Sequence, residues 1–223
     1  MRRVPASTAA MIVLAIGWIV FLVVYSGVPL PTQGWAKPKP GIVTALAAFD
    51  HLDYATARRD FTKLAASGNA TAETWLAYMD EHGFGAARNP PAAIALYSKA
   101  ADAGSALAAR RLGEMYLSGD GVLQDVTAAR PWLERAATAG DRGAARDLGE
   151  LYAKGLGVAK DPAEAYAWLD IAASRGDALA ARERDAVLET LSPAAADRAE
   201  TLAQATLQRV AHAAPGPERN PAA

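Results

Sequence analysis

The sequence predicts an all-α fold, a repeat solenoid built from helix pairs. Three observations carry that reading: a period of 36 residues, glycines at fixed places within it, and capping residues where each helix must begin. Gly113 and Gly149 lie one period apart, as do Leu112 and Leu148, Tyr116 and Tyr152, Gly119 and Gly155, Gly121 and Gly157, and Val122 and Val158. Gly68, Gly104, Gly140 and Gly176 keep the same step, and so do Ala57, Ala93, Ala129 and Ala165. Alanine is common enough here to match by accident. Glycine, leucine, tyrosine and valine matching in a fixed order are not.

The units run over 53–88, 89–124, 125–160 and 161–188, and each reads as two helices. The first helix opens on Asp53, Asn89, Asp125 or Asp161, whose side chains can accept from the free N–H groups of a first turn. Pro90 and Pro162 follow at the first helical position, where a missing N–H costs nothing. Ala93, Leu96, Tyr97, Ala100 and Ala101 recur at three- and four-residue spacing and mark one apolar face. Gly104, Gly140 and Gly176 stand at the left-handed position after a helix end, and Ser105, Asp141 or Asp177 then caps the second helix. That helix carries Leu112-Gly113-x-x-Tyr116, repeated as Leu148-Gly149-x-x-Tyr152. A glycine inside a helix costs about 1 kcal/mol against alanine, so its recurrence implies close approach of neighbouring helix backbones. Gly119-Asp120-Gly121-Val122 and Gly155-Leu156-Gly157-Val158 form the turn into the next unit, with the valine able to plug the core.

The outer units depart from the pattern. In the first, Ala77 and Asp80 replace the glycine and tyrosine; in the fourth, Arg184, Asp185 and Leu188 stand where Leu148, Gly149 and Tyr152 would be. End repeats must present one face to water, so atypical ends are expected. Residues 41–52 read as a short covering helix. Ser192-Pro193 starts another, on which Ala199, Leu202, Ala203, Thr206 and Val210 share a face, the pattern of a C-terminal cap. The helical domain is expected over 42–213, with 214–223 a disordered tail.

Ahead of the repeats, Met11–Leu30 contains no charged residue. At ~1.5 Å rise per residue, about 20 apolar residues span the ~30 Å hydrocarbon core of a bilayer. The expectation is a retained transmembrane anchor, with 1–10 a short basic tail and 31–41 a Pro/Gly-rich linker. The competing reading is a cleavable signal peptide, with Arg2 and Arg3 as its positive region and Gly34-Trp35-Ala36 near a cut; the run is longer than the roughly 7–15 apolar residues usual there. Arg2 and Arg3 favour a cytoplasmic N-terminus and a repeat domain across the membrane, although Lys37 and Lys39 flank the other end.

Asp125, Ala129, Trp132, Leu133, Ala136, Ala137 and Gly140, followed by Ala144, Leu148, Gly149, Tyr152, Gly155, Gly157 and Val158, carry a family resemblance. The pattern resembles the Sel-one-like repeat, a relative of the tetratricopeptide repeat, and covers most of 53–188. The resemblance implies a right-handed α/α superhelix serving as an adaptor in complexes, often in bacterial envelopes. With the anchor, that places the chain in an inner membrane with its repeats on the periplasmic side. Some disulfide-rich relatives are associated with β-lactam hydrolysis; this chain has no cysteine, so that activity is not carried over.

No arrangement of residues points to catalysis, a cofactor or a metal: there is no H-E-x-x-H, G-x-S-x-G or phosphate-binding loop. Asp80-Glu81-His82 could be imagined as a metal or acid/base cluster but reads as a solvated loop beside a turn, and Arg58-Arg59 and Arg110-Arg111 as solvated basic pairs. A net charge of −1 gives no basic excess for nucleic acid. Trp132 and Trp168 read as core residues, by their period and apolar flanks. What remains is binding of a protein or peptide on the concave face. If the first helix of each unit lines that face, its variable positions are the candidates: Lys99, Asp102, Glu134, Arg135, Asp170 and Arg175. The alternative is an accessory subunit of a membrane enzyme complex, held mainly through its transmembrane helix.

Overall fold

The computed structural model describes residues 40–213; the expected anchor Met11–Leu30, the basic tail and residues 214–223 lie outside them. Among the described residues no helix is long and apolar enough to cross a membrane. Pro40 and Gly41, read from sequence as the end of the linker, instead open the first helix. A proline tolerates that place because a first-turn N–H has no partner within the helix.

All regular structure among the described residues is helical. The elements are α1 (Pro40–Asp50), α2 (Tyr54–Ala66), α3 (Ala70–His82), α4 (Pro90–Asp102), α5 (Ala106–Ser118), α6 (Val126–Thr138), α7 (Arg142–Lys154), α8 (Pro162–Ser174), α9 (Ala178–Glu189) and α10 (Pro193–Ala213). Two series interleave. Helices α2, α4, α6 and α8 begin one period apart, and so do α3, α5, α7 and α9. Asp53, Asn89, Asp125 and Asp161 cap the first series, while Asn69, Ser105, Asp141 and Asp177 cap the second. Gly104, Gly140 and Gly176, at φ of 96°, 106° and 85°, reverse the chain between one helix and the next.

The core is made of positions that repeat. Ala57, Ala93, Ala129 and Ala165 are fully buried, as are Phe61, Tyr97, Leu133 and Leu169 one turn further on. The helix-interior glycines sit against that second set. A Cβ on Gly113 would lie 2.7 Å from Leu133 Cδ2, and one on Gly149 would lie 2.5 Å from Leu169 Cγ. The sequence suggests an approach of backbones; the closest neighbour is in fact a leucine side chain, with the carbonyl oxygens of Ala129 and Ala165 just behind it at 3.4 and 3.3 Å. Where the first unit has Ala77 in place of glycine, the facing position holds Tyr97 in place of leucine.

Pairing is uneven. Each of α3, α5 and α7 packs more extensively on the helix that follows it than on the one before. The tight structural pair is therefore α3–α4, α5–α6 and α7–α8, half a unit out of phase with the boundaries drawn from the sequence. A period does not say where a unit starts; packing does.

The two ends are closed differently. At the N-terminal end α1 packs on α2. At the C-terminal end α10 does not continue the progression against α9 but turns back along α8 and reaches α6. Ala199, Ala203, Thr206 and Val210 are buried and Leu202 is half-buried. This cover explains why α8 buries more of its surface than α6: Tyr166, Ala167, Trp168 and Ile171 are buried, where α6 has Arg130, Pro131, Trp132 and Arg135. The two tryptophans consequently differ. Trp168 is buried with the Arg209 guanidinium 5.5 Å above it, whereas Trp132 is half-buried beneath Arg135.

Candidate functional site

The six side chains proposed from sequence lie on or just after α4, α6 and α8, and each has a partner within the chain. Lys99 on α4 is 2.6 Å from Glu73 on α3, a carboxylate only 1% exposed. Glu73 stands where later units have Ala109 and Ala145, so a charge replaces a methyl in the core there. Asp102 pairs with Arg135 at 2.9 Å, tying α4 to α6, and Arg135 also donates to the Ala101 carbonyl. Glu134 pairs with Arg130 on its own helix at 2.7 Å, and Asp170 with Arg184 of α9 at 2.8 Å. Arg175 donates to the Ala137 carbonyl at 3.1 Å, the last turn of the helix one unit earlier, and burial lowers its pKa. Glu134 and Arg135, with Gly104, Ser105, Pro131 and Thr138, line a shallow depression of about 450 Å³. The six are not brought together as one cluster.

The second series carries a set of contacts that the sequence reading did not find. Thr74 Oγ1 lies 3.0 Å from Ser105 Oγ, Arg110 Nε 3.2 Å from an Asp141 oxygen, and Arg146 Nη1 3.1 Å from an Asp177 oxygen. In each case a side chain in one helix holds the capping residue of the next helix of its series, 31 residues on. The cap thus serves two purposes, closing its own first turn and fastening one unit to the next. The signal was present as a constant Arg-to-Asp spacing; it was masked because Ser105 and Thr74 break the charge pattern in the first link.

The segment Asp80-Glu81-His82 is not solvated as its place beside a turn suggests. It is the last turn of α3, with Asp80 and Glu81 buried and only His82 exposed. Asp80 pairs with Arg58, and Glu81 accepts from the Tyr97 hydroxyl at 2.7 Å and from Arg111 at 2.6 Å. Burial first and the Glu81 carboxylate second push the Tyr97 phenol well above its ordinary range. The Arg58 and Arg110-Arg111 guanidiniums are correspondingly not free cations: Arg110 and Arg111 both also reach Glu114, at 2.6 and 2.8 Å. Long amphipathic side chains lay their stems on the core and let their ends find carboxylates, which composition alone cannot show.

Further along this series lie two carboxyls whose pKa values are raised. Burial, then the Glu114 carboxylate, raise the Asp147 pKa to about 6. Burial and then Glu150 raise that of Glu183. At the other end of the series lies an aromatic group. Phe49 touches Tyr54, Trp75, Tyr78 and Phe84 at ring separations of 5.0–6.2 Å, and all five rings are half-buried. Phe84 stacks on Tyr54 at 4.8 Å and on His82 at 5.6 Å, and Arg111 lies 5.9 Å over Tyr78. Among the described residues no group of His, Asp or Glu is placed to hold a metal ion.

The Sel1 repeat model matches residues 70–105, 106–141 and 143–177. A Sel1 repeat protein from Oxalobacter formigenes, known by crystal structure, is 30% identical, with 75% of this chain and 69% of that one covered and a TM-score of 0.63. The chain belongs to the Sel1 repeat family. The matched segments start on α3, α5 and α7, the same phase as the tight helix pairs, so the Sel1 unit is the packing unit. A second similar structure is c5321, a protective antigen of uropathogenic Escherichia coli with an SLR fold. It is 26% identical, with 77% of this chain and 46% of that one covered and a TM-score of 0.48. No curated protein matches the chain.

Proposed function

We propose that this Sel1 repeat protein is a non-catalytic interaction module. On this reading it is tethered by Met11–Leu30 to an inner membrane, with its repeats on the periplasmic side. There it docks a protein or peptide as an adaptor, assembly or regulatory subunit of a bacterial envelope complex. Sel1 repeat proteins are in general protein–protein interaction modules. The observation that carries the reading is the fate of the charged side chains. Six ion pairs on the repeats join one helix to another, so these charged side chains serve as scaffold contacts. The tether supplies effective concentration near a membrane partner without any new contact.

Affinity capture of the detergent-solubilised chain, with and without residues 53–188, tests the reading. Partners should be lost with the repeats. Recovery of the same partners by both forms would refute it. Replacing Met11–Leu30 with an unrelated apolar helix separates the two forms of the reading: assembly survives if the repeats dock the partner, and fails if the membrane segment does.

A further inference from the structure

We infer that the face of α8 carrying Ala163, Ala167 and Trp168 is a docking site for a partner's amphipathic helix, one with a stripe of small side chains flanked by arginine. In the resting chain α10 holds that site as a stand-in, and the partner helix replaces it. The inference rests on the reading of the chain as an interaction module and names the class of partner.

The first support is where α10 lies. From α3 to α7, each helix of the second series packs most extensively on the helix that follows it. The last of the series, α9, breaks that rule: the helix that follows it lies on α8 and reaches α6. An end cap takes the place of the next unit and so covers α9. Instead α10 lies across the first series, on a surface that the preceding unit leaves open. At the places of Ala163, Ala167 and Ile171, α6 has Thr127, Pro131 and Arg135, all exposed.

The second support is the chemistry of the contact. Ala199 and Ala203 of α10 enter one buried cluster with Ala163, Tyr166 and Ala167, closed at its foot by Val187, Leu188 and Leu191. Small side chains let two helices approach closely, so the face selects its occupant by shape. It selects by charge as well. Arg209 lies 5.5 Å over the Trp168 ring, and Arg198 Nη2 is 3.3 Å from Asp161 Oδ2. Glu164 stands close by: burial first and Asp161 second raise its pKa, Glu134 of α6 adds to that, and Arg209 and Arg198 oppose it. A helix docking here must bring cations, as α10 does.

The hold of α10 on this site is light. Its fully buried stripe is two alanines, a threonine and a valine, which cover little apolar area of their own. Arg198 is 69% exposed, and an ion pair so open to water contributes little. Only residues 190–192 join α10 to α9.

The test is a labelled synthetic peptide with the sequence of residues 193–213, titrated by fluorescence anisotropy into the detergent-solubilised full chain. The full-chain variant Ala203→Glu forces a charge beneath α10 and releases it. That variant should bind the peptide at least tenfold more tightly than the unaltered chain does. Placing Ala203→Glu in the peptide instead should weaken binding at least tenfold, and Arg209→Ala in the peptide should weaken it too. Leu207→Ala in the peptide, at an exposed position, should leave it unchanged. Hydrogen exchange on the unaltered chain decides the matter if the variant unfolds: amides of α10 should exchange at least tenfold faster than those of α8. Exchange of α10 only in step with α8 overturns the inference, and so does a folded Ala203→Glu chain that ignores the peptide. Either result leaves the interaction reading standing, since capture by residues 53–188 tests that separately. A dimer of the unaltered chain that the peptide dissociates also overturns it, because the occupant is then α10 of a second copy.

Discussion

Gly149→Ala tests whether the repeated helix-interior glycine exists to admit the next helix. On an exposed helix this change stabilises by about 1 kcal/mol through propensity. Here the new Cβ would sit 2.5 Å from Leu169 Cγ and 2.8 Å from its Cδ2, with the Ala165 carbonyl oxygen at 3.3 Å. Leu169 is buried on every side, so it cannot swing away cheaply. Overpacking of this kind costs typically 1–3 kcal/mol, and two contacts below 3 Å place it towards the upper end. Subtracting the propensity gain leaves a net loss of about 1–2 kcal/mol. Urea unfolding followed by far-UV circular dichroism measures it as a lower midpoint. Gly143→Ala, on the same helix, is the control. Its nearest atoms are Asp141 Oδ1 at 3.2 Å and the flexible Arg110 side chain at 3.3 Å, so it should be neutral or mildly stabilising. A second arm is Leu169→Ala, which alone should cost about 2–5 kcal/mol as a core truncation and clearly less in the Gly149→Ala background. If Gly149→Ala is stabilising, or if the two changes simply add, the close-packing account is wrong.

Three further outcomes are expected. Because the Asp147 carboxyl titrates near 6, above its usual range, its contribution is fully favourable below about pH 4 and is lost as pH rises through about 6. Asp147→Asn should therefore stabilise the fold at pH 7 and not at pH 4, by at most about 3 kcal/mol at 1.36 kcal/mol per pH unit, read from unfolding curves at the two pH values. Equal gains at both pH values would point to another cause. Lys99→Met strands the buried Glu73 carboxylate and should cost about 2–3 kcal/mol, below the range for fully buried pairs because Lys99 is 61% exposed. Adding Glu73→Ala, the residue type of the later units, should restore stability in thermal melts; failure to do so would show that Glu73 has some other role. Asp141→Ala removes both a helix cap and the Arg110 link, whereas Asp125→Ala removes a cap alone. The first should cost about 1 kcal/mol for the cap plus a further ~0.5–1 kcal/mol, the second only the cap. Equal losses in denaturant unfolding would remove the inter-unit link from the account.

What the sequence by itself determined is whatever depends on neighbours along the chain. Helix starts are visible because Asp53, Asn89, Asp125 and Asp161 must satisfy N–H groups only two or three residues away. Helix ends are visible because Gly104, Gly140 and Gly176 supply a backbone conformation that other residues resist. The period itself follows, since each unit buries its face on a copy of itself. What only the tertiary structure decided is where long side chains end and which helices choose each other. Asp80 and Glu81 look solvated because they precede a glycine turn, yet Arg58, Tyr97 and Arg111 converge on them from other helices. Lys99, Asp102 and Arg175 look free because they vary between units, yet each reaches a neighbour some 26 to 38 residues away. Trp132 and Trp168 occupy the same place in the repeat and differ in burial, and α10 packs far more extensively on the helix of Trp168 than on that of Trp132. Spacing along a chain registers local geometry well, but a flexible charged side chain chooses its partner through space, and that choice exists only once the helices are packed.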